Sequence, residues 1–336
     1  MFRLLKIFLL SMMLPAAIIA GAAELSIPRP ELHGTFRGRW EADLDDGSSR
    51  FQVRNARVSL SGSIIPEISY FIQTDLCDRG KMKILDAYGQ VAIAKGLNIR
   101  VGQFRMPTGS DPFRMPHTYF FANRSVIGKE MCNYRAVGAR AAWTLPQTPL
   151  TLEAGAFNPT SMADHNVWVK TMAFGSKATY IIKNLTFIAG YESLEPDSVR
   201  FNIADAAIRW TSAGWTVEGE YMNKHYTHHR FTTCHGWNLF ANYAMGIKAG
   251  FFNQLSFQGR FDGMTAHSSG TRDDAGHLIA DDPARRRITV GSTISYVASA
   301  VRCDIRLDYE KTFLNHDTPR TPSLSDRLTL EMVIRF

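Results

Sequence analysis

Leu328, Leu330, Met332, Ile334 and Phe336 occupy every second position at the end of the chain, and Arg327, Thr329, Glu331, Val333 and Arg335 fill the gaps. A period of two sends these sets to opposite faces of a strand. One face is wholly apolar; the other is charged or hydroxylated apart from Val333. The rhythm recurs upstream. Val301, Cys303, Ile305, Leu307 and Tyr309 alternate with Arg302, Asp304, Arg306, Asp308 and Glu310, while Ile68, Tyr70, Ile72 and Leu76 oppose Ser69, Gln73 and Asp75. Read for this period, the chain divides into about sixteen strand-like runs: 33–43, 51–63, 67–77, 82–94, 97–106, 134–145, 149–158, 167–182, 184–194, 200–212, 214–226, 234–246, 247–262, 287–298, 300–313 and 326–336. A change of phase near Arg54 and Asn55 predicts a bulge. Most runs reach the roughly 9–11 residues that cross a bilayer when tilted.

The connections alternate in length. Tight ones fall at 64–66, 94–96, 145–149, 183–184, 212–214, 245–247 and 297–299, and longer ones at 44–50, 78–81, 107–133, 159–166, 195–199, 227–233, 263–286 and 314–325. Short turns at one end and longer loops at the other are the asymmetry of a transmembrane antiparallel β-barrel of the outer-membrane type, and the terminal Phe suits its closing strand. With the short turns on the periplasmic side, Trp143, Tyr180, Trp210, Trp215, Tyr296 and Phe336 fall at periplasmic strand ends. Trp40, Trp168, Tyr221, Trp237 and Tyr309 fall toward the outer ends, so two aromatic girdles are expected.

Composition adds an export signal. Arg3 and Lys6 precede an apolar run from Ile7 to Ala20, and Ala20-Gly21-Ala22 is a small-x-small cleavage site, so residues 1–22 read as a removable signal peptide. The run is too short for a spanning helix. Removing the signal lowers the formal net charge from +7 to +5. Residues 23–336 show no linker, low-complexity tract or repeat, and read as one outer-membrane barrel. Cys77, Cys132, Cys234 and Cys303 match no zinc or redox spacing. Cys77 and Cys132 both fall at the outer rim, where a disulfide is open to them, and Cys303 is expected to face lipid.

The stretch from Phe51 to Gly138 resembles the phosphate-selective porin O and P family of Gram-negative bacteria. The resemblance is carried by Phe51-x-Val-Arg-x-Ala-Arg-Val-x-Leu-x-Gly62, Ile68-Ser-Tyr-x-Ile-Gln73, Leu85-Asp-Ala-Tyr88, Ile99-Arg-Val-Gly-Gln-Phe-Arg-x-Pro107, Phe121-Ala-Asn-Arg-Ser125 and Arg135-Ala-Val-Gly138. Ala154-Gly-Ala-Phe-Asn158 continues it. The resemblance implies a porin in the cell outer membrane, a homotrimer, and a long loop, 107–133, folded into the lumen as the constriction. Physics agrees on the channel: a sixteen-stranded barrel leaves an aqueous lumen, where eight strands would be filled by side chains. Phe113, Met115, Tyr119, Phe120 and Phe121 make that loop apolar enough to pack against the wall.

The candidate chemistry is cationic. Arg100, Arg105, Arg114, Arg124, Lys129 and Arg140 are the expected constriction and anion-binding residues. Arg37, Arg39, Arg302, Arg306, Arg327 and Arg335 are the expected lumen wall, with Arg260 also facing inward. Guanidinium forks match phosphate and carboxylate oxygens, and rings of such groups filter anions. Glu41, Asp304, Asp308, Glu310 and Glu331 share those faces and compete for the arginines. The sequence-level reading is passive diffusion of small hydrophilic, anionic solutes, phosphate among them. An occluded receptor or partner barrel is the alternative. His225, His228, His229 and His235 are weak metal candidates, because their spacing fits no closed site. No catalytic motif stands out; Asp75, Asp86, His117 and Ser110 are residues any porin supplies, so no enzyme is expected. Neither a cofactor nor a nucleic-acid partner is expected; the partners are the outer-membrane bilayer and small anions.

Overall fold

A computed structural model describes residues 28–336 apart from 79, 133, 160–167, 169, 196–198, 230, 269–270, 316–317, 319–320 and 322. The signal peptide lies outside the described residues. Alternation becomes sixteen antiparallel strands. They are β1 (Glu31–Asp43), β2 (Ser49–Ile65), β3 (Ile68–Asp78), β4 (Lys81–Ala94), β5 (Leu97–Arg105), β6 (Arg135–Thr144), β7 (Leu150–Phe157) and β8 (Ala173–Ile182). The second half comprises β9 (Leu185–Leu194), β10 (Phe201–Ser212), β11 (Trp215–Tyr226), β12 (Cys234–Ala249), β13 (Phe252–Met264), β14 (Arg285–Val297), β15 (Arg302–Leu314) and β16 (Arg327–Arg335). Each strand pairs with its sequence neighbours, and β1 pairs with β16, so the sheet closes with no free edge. The protein is an outer-membrane β-barrel.

The closing strand behaves as its alternation predicts. Leu330 and Met332 are exposed outward while Thr329, Glu331 and Val333 are buried inward. Phe336 then exchanges backbone hydrogen bonds with Gly34 and completes the seam. The predicted bulge is present: Arg37 pairs with Asn55 and Gly38 with Val53, leaving Arg54 between them. Trp143, Tyr180, Trp210, Trp215 and Phe336 are exposed at the short-turn end, and Tyr221 and Tyr309 are exposed toward the other.

Three details differ from expectation. The turn between β12 and β13 sits at Gly250, whose φ of +61° suits glycine, rather than near Met245. The eighth strand begins at Ala173 rather than residue 167. Cys77 and Cys132 do not meet. Cys132 Sγ is buried 3.4 Å from Met222 Sδ on β11, while Cys77 Sγ lies on β3 beside Val53 O and Asp75. Cys303 sits on the outward face of β15 among Ile305, Leu307 and Tyr309.

Candidate functional site

Residues 106–134, between β5 and β6, do not project from the barrel; they run inside it, which explains why a connection of this length is largely buried. Wall carboxylates hold the first half. Asp205 accepts from Gly109 N, Glu220 accepts from the amides of Ser110 and Asp111, and Glu218 accepts from Ser110 Oγ. The second half is held farther round the same arc, by β13 and β15. Ala122 N donates to Asp308, Val126 N to Asp262, and Asn123 Nδ2 to Glu310. Arginines bind the carbonyls between them: Arg306 reaches Tyr119 O, Arg37 reaches Ala122 O, Arg260 reaches Asn123 O and Arg287 reaches Arg124 O. A loop backbone has no ladder partner of its own, so charged wall groups satisfy it.

Apolar packing fixes the loop as well. Val126, Ile127, Met131 and Cys132 pack with inward residues of the wall, including Phe104, Phe157, Ile203 and Met222. Phe121 is buried, but Met115 is exposed and Phe113, Tyr119 and Phe120 are half-buried. The main apolar anchor is therefore Val126–Cys132, beyond the aromatic run that made the loop look apolar.

The loop covers one side of the lumen and leaves the other. Arg37, Arg260, Arg306 and Glu331 keep at most 3 % of their side-chain surface. Arg57, Arg135, Arg140 and Lys177 keep between 10 and 16 %. Arg209 on β10, Arg287 on β14, Arg302 on β15 and Arg327 on β16 keep between 14 and 36 %, so charges reach water beyond the loop's edges as well. Two cavities bracket the loop. An outer one of about 670 Å³ is lined by Arg124, Lys129, Arg285, Arg287, Glu130 and Asp282 among others, and an inner one of about 380 Å³ by Phe71, Tyr88, Gln90 and Arg100 among others.

The candidate cations fall into two groups. Arg114 does not project into the passage; it is clamped between Asp111 and Glu218 and lies over the Phe120 and Phe240 rings. Burial alone would raise the Asp111 carboxyl, but Arg114, Arg124 and Ser125 outweigh it and hold the group at about 2. Arg140 pairs with Glu153, Lys129 with Glu130, and Arg37 with Glu331. Arg39 and Arg327 pair with Glu41, Arg302 with Asp304, and Arg306 with Glu331 and Asp304. By contrast, no described carboxylate ion-pairs with Arg100, Arg105 or Arg124. Arg100 donates to Gln90 Oε1, Arg105 to Arg114 O, and Arg124 to Tyr119 Oη and the carbonyls of Pro112 and Gly128. Arg335 stands opposite Thr35 and Arg302.

Sequence reasoning did not single out Arg57, Arg135, Lys177, Arg209 or Arg287, which pair with Asp75, Asp86, Glu153, Glu218 and Asp262. Inward parity would have found Arg57 and Lys177. The histidines do not converge. His225 Nδ1 contacts Thr233 Oγ1, His235 Nδ1 contacts Tyr221 Oη, and His228 occupies a turn at φ +55°. His229's side chain is outside the described residues. Among those described, no three His, Cys, Asp or Glu side chains are arranged to hold a metal.

Comparison with known proteins places this geometry. The family model of phosphate-selective porin O and P matches residues 33–186, the region that carries the resemblance in sequence. No curated protein matches the chain. Among solved structures, the anion-selective porin from Comamonas acidovorans superposes with a TM-score of 0.64 at 10% identity, over 91% of this chain and 98% of its own. The outer membrane channel DcaP of Acinetobacter baumannii gives 0.59 at 12% identity, over 91% and 97%. The trimer form of OmpT, an outer membrane protein of Vibrio cholerae, gives 0.59 at 10%, over 92% and 98%. At such identities the likeness is one of fold.

Proposed function

We propose that this outer-membrane barrel of porin fold is a passive channel for small hydrophilic solutes, a channel rather than an enzyme, and that it prefers anions. The observation that carries the preference is the unpaired set Arg100, Arg105 and Arg124. Most other lumen arginines, Arg37, Arg57, Arg114, Arg140, Arg260 and Arg306 among them, are matched by carboxylates at ion-pair distance, which cancels most of their long-range field. Arg100 and Arg124 bond neutral oxygens, and Arg105 bonds Arg114 O with its Nε left over, so their charge survives. Arg124 borders the outer cavity and Arg100 the inner one, so an anion meets uncompensated charge on entry and on exit. Arg114, Arg140 and Lys129 shape the constriction or its rim instead. Phosphate as the solute is supported by the name of the matched family, and a homotrimer by the trimeric form of the Vibrio neighbour.

The test is planar-bilayer conductance of the detergent-purified mature protein under a potassium chloride gradient, then with added phosphate. Discrete steps with an anion-selective reversal potential are expected. Steps without selectivity would leave a general porin and reduce the three arginines to wall chemistry. One observation favours the second reading, an occluded receptor or partner barrel: the loop is bonded to the wall along a wide arc, from β10 through β16 to β1. Silence from protein that runs as a folded, heat-modifiable band would favour it.

A further inference from the structure

Three cations along the passage lie on aromatic rings, and in each pair both members are partly buried, with Lys177 keeping 11 % of its side-chain surface. At the inner mouth the Arg100 guanidinium lies 3.8 Å from the Tyr88 ring centroid, and Tyr88 stacks on Phe71 at 5.4 Å with 24° between the planes. At mid-depth Lys177 Nζ lies 3.6 Å over the Phe113 ring of the loop. At the outer cavity Arg124 lies 5.2 Å over the Tyr119 ring and bonds its hydroxyl. The buried counterparts, Arg114 on Phe120 and Arg260 on Phe121, are packing. Of the partly buried pairs, Arg100 and Tyr88 line the inner cavity and Arg124 lines the outer one. An inorganic anion needs charge and donors only; a wall that presents rings beside each cation adds a surface such an ion does not use.

We infer that the channel's preferred solutes are organic anions carrying a flat aromatic ring, such as aryl carboxylates, bound in turn at the Arg124/Tyr119, Lys177/Phe113 and Arg100/Tyr88/Phe71 stations. This rests on the reading of the barrel as an anion-preferring channel and names its substrate class. At the inner station Tyr88 lies against the Arg100 guanidinium, Phe104 stands 5.4 Å from it and Gln90 holds Nε and Nη2, so Nη1 is left for a solute. A carboxylate takes the N–H and an aryl ring stacks on the plane, a pairing that suits arginine better than lysine. Phe71 widens the platform at the same depth.

The experiment compares benzoate with cyclohexanecarboxylate, which match in charge and approximate size but differ in the π-face. Bi-ionic reversal potentials of the mature protein in planar bilayers give each anion's permeability relative to chloride. Benzoate is expected to exceed cyclohexanecarboxylate by about three- to five-fold, the factor a weak cation–π preference supplies. Phe113→Leu, which keeps the loop apolar and Lys177 in place, is expected to lower that ratio, and Tyr88→Leu to lower it further. An anion-selective channel with equal permeabilities overturns this inference and leaves the anion reading standing. A channel without chloride-over-potassium selectivity, or a silent bilayer, overturns both. Should either variant fail to fold, the wild-type ratio decides.

Discussion

Arg37 and Glu331 meet at 2.6 Å where the first strand closes on the last, and both are buried. Glu331 also takes Arg306 Nη1 at 2.9 Å, while Arg37 Nη2, shared with Glu331, reaches Ala122 O of the loop and Arg306 Nη2 reaches Tyr119 O. One carboxylate therefore ties the seam of the barrel to the constriction. Removing it leaves the buried Arg37 without its anion and Arg306 with only Asp304 at 3.8 Å, and Glu331→Leu is expected to cost about 3–5 kcal/mol. The midpoint of the heat-modifiable gel shift measures this. Arg50→Ala is the control: Arg50 is 63 % exposed although it contacts Glu41, so its loss should cost less than about 1 kcal/mol.

The two arginines of the loop should separate by assay. Arg124 is satisfied by carbonyls and a phenol, so Arg124→Glu inverts an uncompensated charge and should move the reversal potential toward cations. Arg114 is neutralised by Asp111 and Glu218, so Arg114→Gln should leave selectivity nearly unchanged. Its cost appears in stability, about 3 kcal/mol, because buried Asp111 loses its ion-pair partner and buried Glu218 keeps only Arg209. Equal shifts in potential from the two variants would refute the division.

The strands were legible because a two-residue period is written locally, and the bulge at Arg54 because it breaks that period. The turn at Gly250 was misplaced because Met245–Ala249 carries a further stretch of strand that the alternation does not mark. The site was less legible for a physical reason. Whether an arginine is free or neutralised depends on lateral register across strands, as with Arg306 and Glu331 on β15 and β16, and on where the loop lands. Arg114 and Arg124 look alike in sequence, and only the position of Glu218 on β11 separates them. The apolar anchor at Ile127 and Met131 was overlooked because a single turn is too short to display a helical period.

Gly190 on β9 faces Asp205 and the loop residue Thr108, and a Cβ there would collide with both side chains. Asp205 holds the loop's entry through Gly109 N at 3.2 Å. Gly190→Val should displace that latch without touching the arginines. The expected result is noisier, larger single-channel conductance with reversal potential preserved. Conductance identical to wild type would show that the Asp205 contact does not hold the loop.

Acid should loosen the loop tip at His117, whose Nδ1 lies 3.3 Å from Thr35 Oγ1 on β1. Burial, then the repulsion of Arg335 and Arg302, push the imidazole down to about 4; Asp304 opposes this more weakly and Arg57 adds to it. A tip released to water would titrate near the ordinary ~6.5. Between these values the docked tip binds fewer protons than the released one. Docking is therefore complete above pH 6.5, weakens as pH falls toward 4, and gains no further dependence from this group below that. Single-channel recordings stepped from pH 7 to pH 4 should show growing occupancy of a second conductance level through this window. His117→Asn, which can still reach Thr35 but does not titrate, should flatten the profile. An unchanged pH profile in that variant would assign the response to the wall carboxylates that hold the rest of the loop.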